Sequence, residues 1–419
     1  MTIQVTELDN GLRVATDTMP DAESVVTGAW IGVGSRHEPW NANGVAHLVE
    51  HMMFKGTKTR SSYALSSAIE NKGGEMNAHT SREATVYYAR VLPEETENAL
   101  DIISDMLRHS AFAPRELDRE RLVVIQEIGR DLDSPDDHTF DLMHKLALPK
   151  QKIGRSILGS ADVIAKLPRP ALTGYVSQHY TGANMVVVAA GRITHEAFLK
   201  MVRRRFGGLP RGKKAGAEKA RVSSGAKLLS KEIEQVHLIL GFAGPGYHAK
   251  AAYYATQILS LILGGSASSR LFQKVREKRG LVYTISSAHS GFSDAGIFQI
   301  YAGTDPKRLR ELIPVVCAEL NDLKKNVTSG ELERAKAQVR ADLLMGKESV
   351  MRRAEVLGSQ ILAYGKPVPT EKILQRLLAV NQSDVKEAAR KLFGRKLILT
   401  ALGPVDALEE YEKISARLA

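Results

Sequence analysis

Glu116-Leu117-Asp118-Arg119 in the first half of the chain is answered by Glu331-Leu332-Glu333-Arg334 in the second, and the match extends outward from both. Upstream, Tyr87-Tyr88-Ala89 corresponds to Ile300-Tyr301-Ala302. Downstream, the strand-turn-helix pattern from Val186 to Phe206 is answered by Leu397-Ile398-Leu399-Thr400-Ala401-Leu402-Gly403-Pro404 and the helix beyond it. Self-similarity on this scale means that one structural unit occurs twice. Each copy sets short β-rich runs, such as Val25 to Val33 and Thr85-Val86-Tyr87-Tyr88, apart from long helical stretches. The expected class is therefore α+β, two duplicated α/β sandwich domains, each a mixed sheet packed by long helices.

A chain of 419 residues suits two domains of about 200 residues each. Glycine, proline and Lys-Lys crowd together between Gly207 and Lys227, the composition of a linker. The expected boundaries are 1–210 for a first domain, 211–227 for the linker and 228–419 for the repeated second domain. Asp131, Asp133, Asp136 and Asp137 are expected to form an acidic loop after the long helix that begins near Pro114.

The composition is that of a globular protein, with 43% hydrophobic and 25% charged residues. The net charge of +11 is spread along the chain, and clusters such as Arg203-Arg204-Arg205 read as solvated charge at a helix end, so no nucleic-acid partner is expected. One cysteine, Cys317, excludes an internal disulfide, fits a reducing compartment and sits on an apolar helical stripe as a core residue. The first residues lack a signal or transit pattern, and no stretch of 18 apolar residues offers a membrane span. A cytoplasmic, bacterial protein is the expectation.

Chemistry concentrates in Gly44-Val45-Ala46-His47-Leu48-Val49-Glu50-His51-Met52-Met53-Phe54. On a helix, His47 and His51 fall one turn apart on the same face, and Glu50 lies beside both. With 12 histidines in 419 residues, this three-residue arrangement arises by chance in only about two such chains in a hundred. The apolar residues around it mark a buried helix, where a histidine pair with a carboxylate is costly unless paired or ligating. The duplication provides a control. The matching helix of the second half runs through Thr256-Gln257-Ile258-Leu259-Ser260 without a ligand, so the fold itself does not require the histidines. A catalytic zinc site needs a third protein ligand, for which a carboxylate is expected. Spacing alone does not choose among the acids of this chain.

The H-x-x-E-H order at 47–51, followed by Glu127 76 residues after His51, resembles the pitrilysin/insulysin family of zinc peptidases, in particular its branch similar to mitochondrial processing peptidase. The resemblance covers essentially the whole chain. It implies zinc held by His47, His51 and Glu127, with Glu50 as general base and Glu120 orienting a ligand histidine. It also implies that Asn77, Ala78 and Thr80 of Asn77-Ala78-His79-Thr80 belong to an edge strand that pairs with an extended peptide substrate. Arg276 and Tyr283 would hold the substrate carbonyl and complete the zinc site of an opposing subunit. The Gly264-Gly265 loop would be a substrate loop. The implied protein is a zinc endopeptidase acting on unfolded peptides in a two-subunit chamber, as a homodimer or as a heterodimer with a related subunit. The alternative within the same family is a non-catalytic or partner-dependent assembly subunit.

Overall fold

The computed structural model of the chain describes residues 3–418, leaving Met1, Thr2 and Ala419, the outer ends of the two expected domains, outside the described residues. Eleven strands form two sheets: β1 (Ile3–Glu7), β2 (Arg13–Thr18), β3 (Val25–Ile31), β4 (Glu75–Thr80), β5 (Thr85–Val91) and β6 (Met185–Gly191) in the first, and β7 (Gly225–Ser230), β8 (Val236–Gly244), β9 (Thr284–Gly291), β10 (Gly296–Thr304) and β11 (Ile398–Gly403) in the second. The first runs in the order β1-β2-β6-β3-β5-β4 and the second β7-β11-β8-β10-β9. Without β1 the orders are identical. The pairings also correspond: β2 with β6 and β7 with β11 are parallel, and every other neighbour is antiparallel. The duplicated α+β architecture read from the sequence is the architecture of the molecule.

Two compact units contain these sheets, and neither is one continuous half of the sequence. One comprises Met1–Gly129, Arg155–Glu218 and Leu344–Val368; the other comprises Arg130–Gly154, Lys219–Leu343 and Pro369–Ala419. The changeover after Glu218 falls inside the expected linker, but the consecutive boundaries 1–210 and 228–419 are corrected by an exchange of two helices. Each belongs to the unit whose sheet buries its apolar face.

In the first unit, helix Val350–Tyr364 covers the sheet face formed by Ala15, Val26, Trp30, Val86, Val186 and Val188, burying Ala354, Leu357 and Ile361. Gly358 permits the close approach, because a Cβ there would lie 2.5 Å from the Trp30 ring. Polar contacts fix the register: Arg13 Nη1 donates to the Ile361 carbonyl at 2.8 Å, Trp30 Nε1 to Glu355 at 3.2 Å, and Arg353 Nε to Asp17 at 2.6 Å. In the second unit, helix Pro135–Ala147 places Met143 and Ala147 against Ile239, Ile297 and Ile398, with Phe140 stacked on Tyr301 at 5.4 Å.

That helix also removes the expected acidic loop. The long helix Pro114–Asp133 contains Asp131 and Asp133, and only Ser134 separates it from the next. Pro135 occupies the first turn, where no amide hydrogen is required, and the Ser134 hydroxyl donates to Asp136 at 2.7 Å, or to Asp137 at 2.8 Å. The two acids therefore lie at a helix start, where negative charge is favourable. Cys317 is buried in the second unit's core, as expected.

Candidate metal centre

All seven residues of β3 and of β6 are buried, so the middle of the first sheet provides a rigid apolar floor. The ligand helix, Val45–Met53, packs in that core through Leu48, Val49, Met52 and Met53, which are at most 1% exposed. Burial of these four side chains fixes the helix rotation and leaves His47, Glu50 and His51 on the remaining face.

The helix start is held by a residue the motif reading missed. Glu38 is fully buried and accepts hydrogen bonds from the Gly44 and Ala46 amides at 2.9 Å each and from Asn43 Nδ2 at 2.8 Å. It thereby satisfies amides that a helix N-terminus leaves unpaired. Gly44 adopts φ 93°, and a Cβ there would meet the Leu158 carbonyl oxygen at 2.5 Å, so only glycine fits. Burial pushes the Glu38 carboxyl up to about 7, against the opposing pull of its hydrogen bonds and Arg155. A buried acid six residues before Gly44 carries no periodicity signal, which is why sequence spacing does not reveal it.

Glu127 comes from the long helix Pro114–Asp133, and its carboxylate lies 3.8 Å from His47 Nε2 and 3.6 Å from His51 Nε2. The ligand atoms of His47, His51 and Glu127 all lie within 4.8 Å of one another, and this is the one metal-ligating group of its kind among the described residues. Zinc bound at 2.0–2.1 Å in a tetrahedron holds its ligand atoms roughly 3.4 Å apart, so the cluster fits such an ion with small adjustments. Two neutral nitrogens and one carboxylate are also a donor set of catalytic zinc sites.

The two histidines differ in their electrostatics. Burial, helped by the neighbouring His51, pulls His47 down to about 4, which leaves its ring neutral at pH 7. His47 Nδ1 is buried without a hydrogen-bond partner. Burial also opposes charge on His51, but the hydrogen bond it donates to Glu120 and the Glu127 charge outweigh it and raise that group. Glu120 lies two helical turns before Glu127, its carboxylate is 3.1 Å from His51 Nδ1, and it pairs with Lys55 at 2.8 Å. A proton on Nδ1 directed at Glu120 leaves the Nε2 lone pair facing Glu127.

Glu50 stands apart from this trio. Burial raises its carboxyl above the usual range, opposed by a hydrogen bond from Thr80 Oγ1 at 2.5 Å. Asn77, Ala78 and Thr80 lie on β4, an outermost strand of the sheet. Asn77 is exposed and caps the amide of Ala78 with its own Oδ1 at 2.8 Å, whereas the Thr80 hydroxyl is directed at Glu50. Arg276 and Tyr283 belong to the second unit, outside the ligand cluster. Arg276 stacks over Phe272 at 4.7 Å, and Tyr283 is 61% exposed. Arg270, next to the Gly264-Gly265 turn, is buried by bonds to Glu331 at 2.6 Å and Asp322 at 2.7 Å, so its role there is structural.

Comparisons with known proteins agree with this geometry. Residues 13–161 match the family model described as insulinase (peptidase family M16), and residues 166–339 match the one described as the peptidase M16 inactive domain. The second match covers the helix Lys250–Gly264, which occupies the ligand helix's place in the repeat and has no histidine. An uncharacterized zinc protease of Rickettsia felis is 36% identical over 96% of this chain and 98% of its own. The uncharacterized zinc protease YmxG of Bacillus subtilis is 39% identical over 94% of this chain and 97% of its own. A crystal structure of a protease from Helicobacter pylori has the same fold, with a TM-score of 0.91 at 22% identity over 96% of this chain and 99% of that one. The chain belongs to the insulinase family of peptidases, family M16.

Proposed function

We propose that this chain is a zinc-dependent endopeptidase that hydrolyses extended, unfolded peptides. The observation that carries the reading is the convergence of His47, His51 and Glu127 to within 4.8 Å beside a separate, half-buried carboxylate, Glu50. Bound zinc supplies a Lewis acid that acidifies water and polarises the scissile carbonyl. Glu50 accepts a proton from the attacking water as the C–O bond forms and then passes it to the leaving amide nitrogen as the C–N bond breaks. Glu120 holds His51 in the tautomer whose Nε2 is free to ligate.

The outermost position of β4 supports a substrate that pairs as an added strand, with Asn77 and Ala78 along its path. Backbone pairing of this kind tolerates many sequences. Arg276 and Tyr283 are assigned to the substrate carbonyl by family resemblance, and the exposure of Tyr283 supports a role toward a bound molecule. The working assembly is a dimer enclosing a chamber. No helix among the described residues is long and apolar enough to cross a membrane. A cytoplasmic location is supported by the single, buried cysteine.

The test is cleavage of fluorescein-labelled casein by the purified chain with zinc, after removal of the metal by phenanthroline, and after zinc is restored. Loss and recovery of cleavage are expected. Stoichiometric zinc without turnover, by the chain alone at any concentration, overturns the reading in favour of a partner-dependent or assembly subunit.

A further inference from the structure

We propose that Thr80 is a positioning residue: its hydroxyl fixes the Glu50 carboxylate and ties the alignment of the general base to the strand that receives the substrate. This rests on the hydrolytic reading above and differs from the role implied for Thr80 by resemblance, which was contact with the peptide.

Side chains alternate along β4. Met76, Ala78 and Thr80 are half-buried, with Met76 and Ala78 packed on the core that contains the ligand helix, whereas Glu75, Asn77 and His79 are exposed. Thr80 therefore points to the catalytic face, and its Oγ1 donates to Glu50 Oε2 at 2.5 Å. A glutamate side chain has three rotatable bonds and nothing in its own helix fixes the last of them. One short bond to a charged oxygen removes that freedom and leaves Oε1 directed to its task.

The donor is itself immobilised. Threonine is stiff at χ1, so the strand determines where its hydroxyl lies. Immediately after Thr80 the chain turns through Ser81–Ala84, closed by the Ser81 amide donating to the Ala84 carbonyl at 2.8 Å. That turn is bound to the segment before the ligand helix: Ser35 N donates to Ser81 O at 3.1 Å and Arg36 N to Arg82 O at 2.9 Å. A Cβ at Gly34 would lie 2.1 Å from the Ser81 carbonyl oxygen, so the two backbones meet as closely as glycine allows. On the other side, Thr80 pairs with Thr85, which is fully buried and donates to Val33 O at 2.9 Å. A peptide bound along β4 is consequently placed by the same strand that places the base, so one register sets both.

Two substitutions separate the hydroxyl from the packing. Thr80→Val keeps shape and strand propensity but removes the donor; Thr80→Ser keeps the donor and loses the methyl. With labelled casein or a quenched peptide, Thr80→Val is expected to lower kcat by about 10- to 100-fold with KM nearly unchanged, the size of a lost hydrogen bond to a charged group. Thr80→Ser recovers most of the loss. Zinc affinity by chelator competition and the melting temperature stay at wild-type values in both. A crystal structure of the metal-free Thr80→Val protein shows Glu50 in more than one rotamer, and Thr80→Ser shows one. A fully active Thr80→Val, a Thr80→Ser as impaired as Thr80→Val, or zinc lost together with activity overturns the proposal alone. A wild-type chain without chelator-sensitive cleavage overturns the hydrolytic reading and this proposal with it.

Discussion

Replacing Glu120 with glutamine tests how the second carboxylate of the long helix acts on the metal centre. Glu120 is 4% exposed, accepts from His51 Nδ1 at 3.1 Å and pairs with Lys55 at 2.8 Å. Glutamine keeps the volume and one acceptor but loses the charge that makes His51 a stronger donor to the ion. Loss of such a partner costs about 10- to 100-fold in metal affinity, or roughly 1.4–2.7 kcal/mol. The stability of the metal-free fold changes little, because Lys55 is 31% exposed and water replaces its partner at a cost of about 1 kcal/mol or less. Zinc affinity measured by competition with a chelator at pH 7, alongside the melting temperature of the metal-free protein, separates the two effects. An affinity within twofold of wild type, or a melting temperature that falls in step with it, refutes the argument that Glu120 acts through His51.

Glu50→Gln is expected to retain stoichiometric zinc while kcat falls by about 100- to 10,000-fold, the range for loss of a general base; zinc lost in parallel, by metal analysis, would make Glu50 a ligand. Glu38 predicts a pH dependence of opposite sign to the usual carboxylate. Its folded value of about 7 exceeds the ordinary 4.5, so its contribution to stability is complete below pH 4.5 and is lost as pH rises through 7. Relative to Glu38→Gln, which cannot ionise, the metal-free wild-type chain should lose on the order of 3 kcal/mol between those limits in denaturant titrations, and parallel curves would refute the assignment. Tyr283→Phe and Arg276→Ala should each lower kcat about 10-fold or more with zinc content unchanged. Unchanged kinetics in both would remove the second half of the chain from the chemistry.

The histidine pair with its neighbouring carboxylate and the duplicated scaffold were legible because each rests on local periodicity. His47, Glu50 and His51 share a helix face by spacing alone, and the repeat shows in the residues that form each strand and helix. Glu120 and Glu127 share a face of one helix for the same reason, but their distance from the histidines depended on how two helices pack, and only resemblance suggested it. Glu38 gave no signal, and Thr80 was marked only by resemblance, as part of a substrate strand, since a buried acid before a helix and a hydroxyl directed at Glu50 show only when their partners are visible.

The amino-acid sequence by itself determined the α+β class, the twofold repeat and a histidine pair with a carboxylate on one apolar helix, because all three are written in short-range pattern and spacing. The tertiary structure decided which sheet buries the helices Pro135–Ala147 and Val350–Tyr364, why Gly44 begins the ligand helix, and that Thr80 faces Glu50. Apolar helix faces fit either of two similar sheets equally well as patterns; the choice between them lies in long-range contacts such as Gly358 on Trp30 and Phe140 on Tyr301, where shape complementarity between segments far apart in the chain provides the preference.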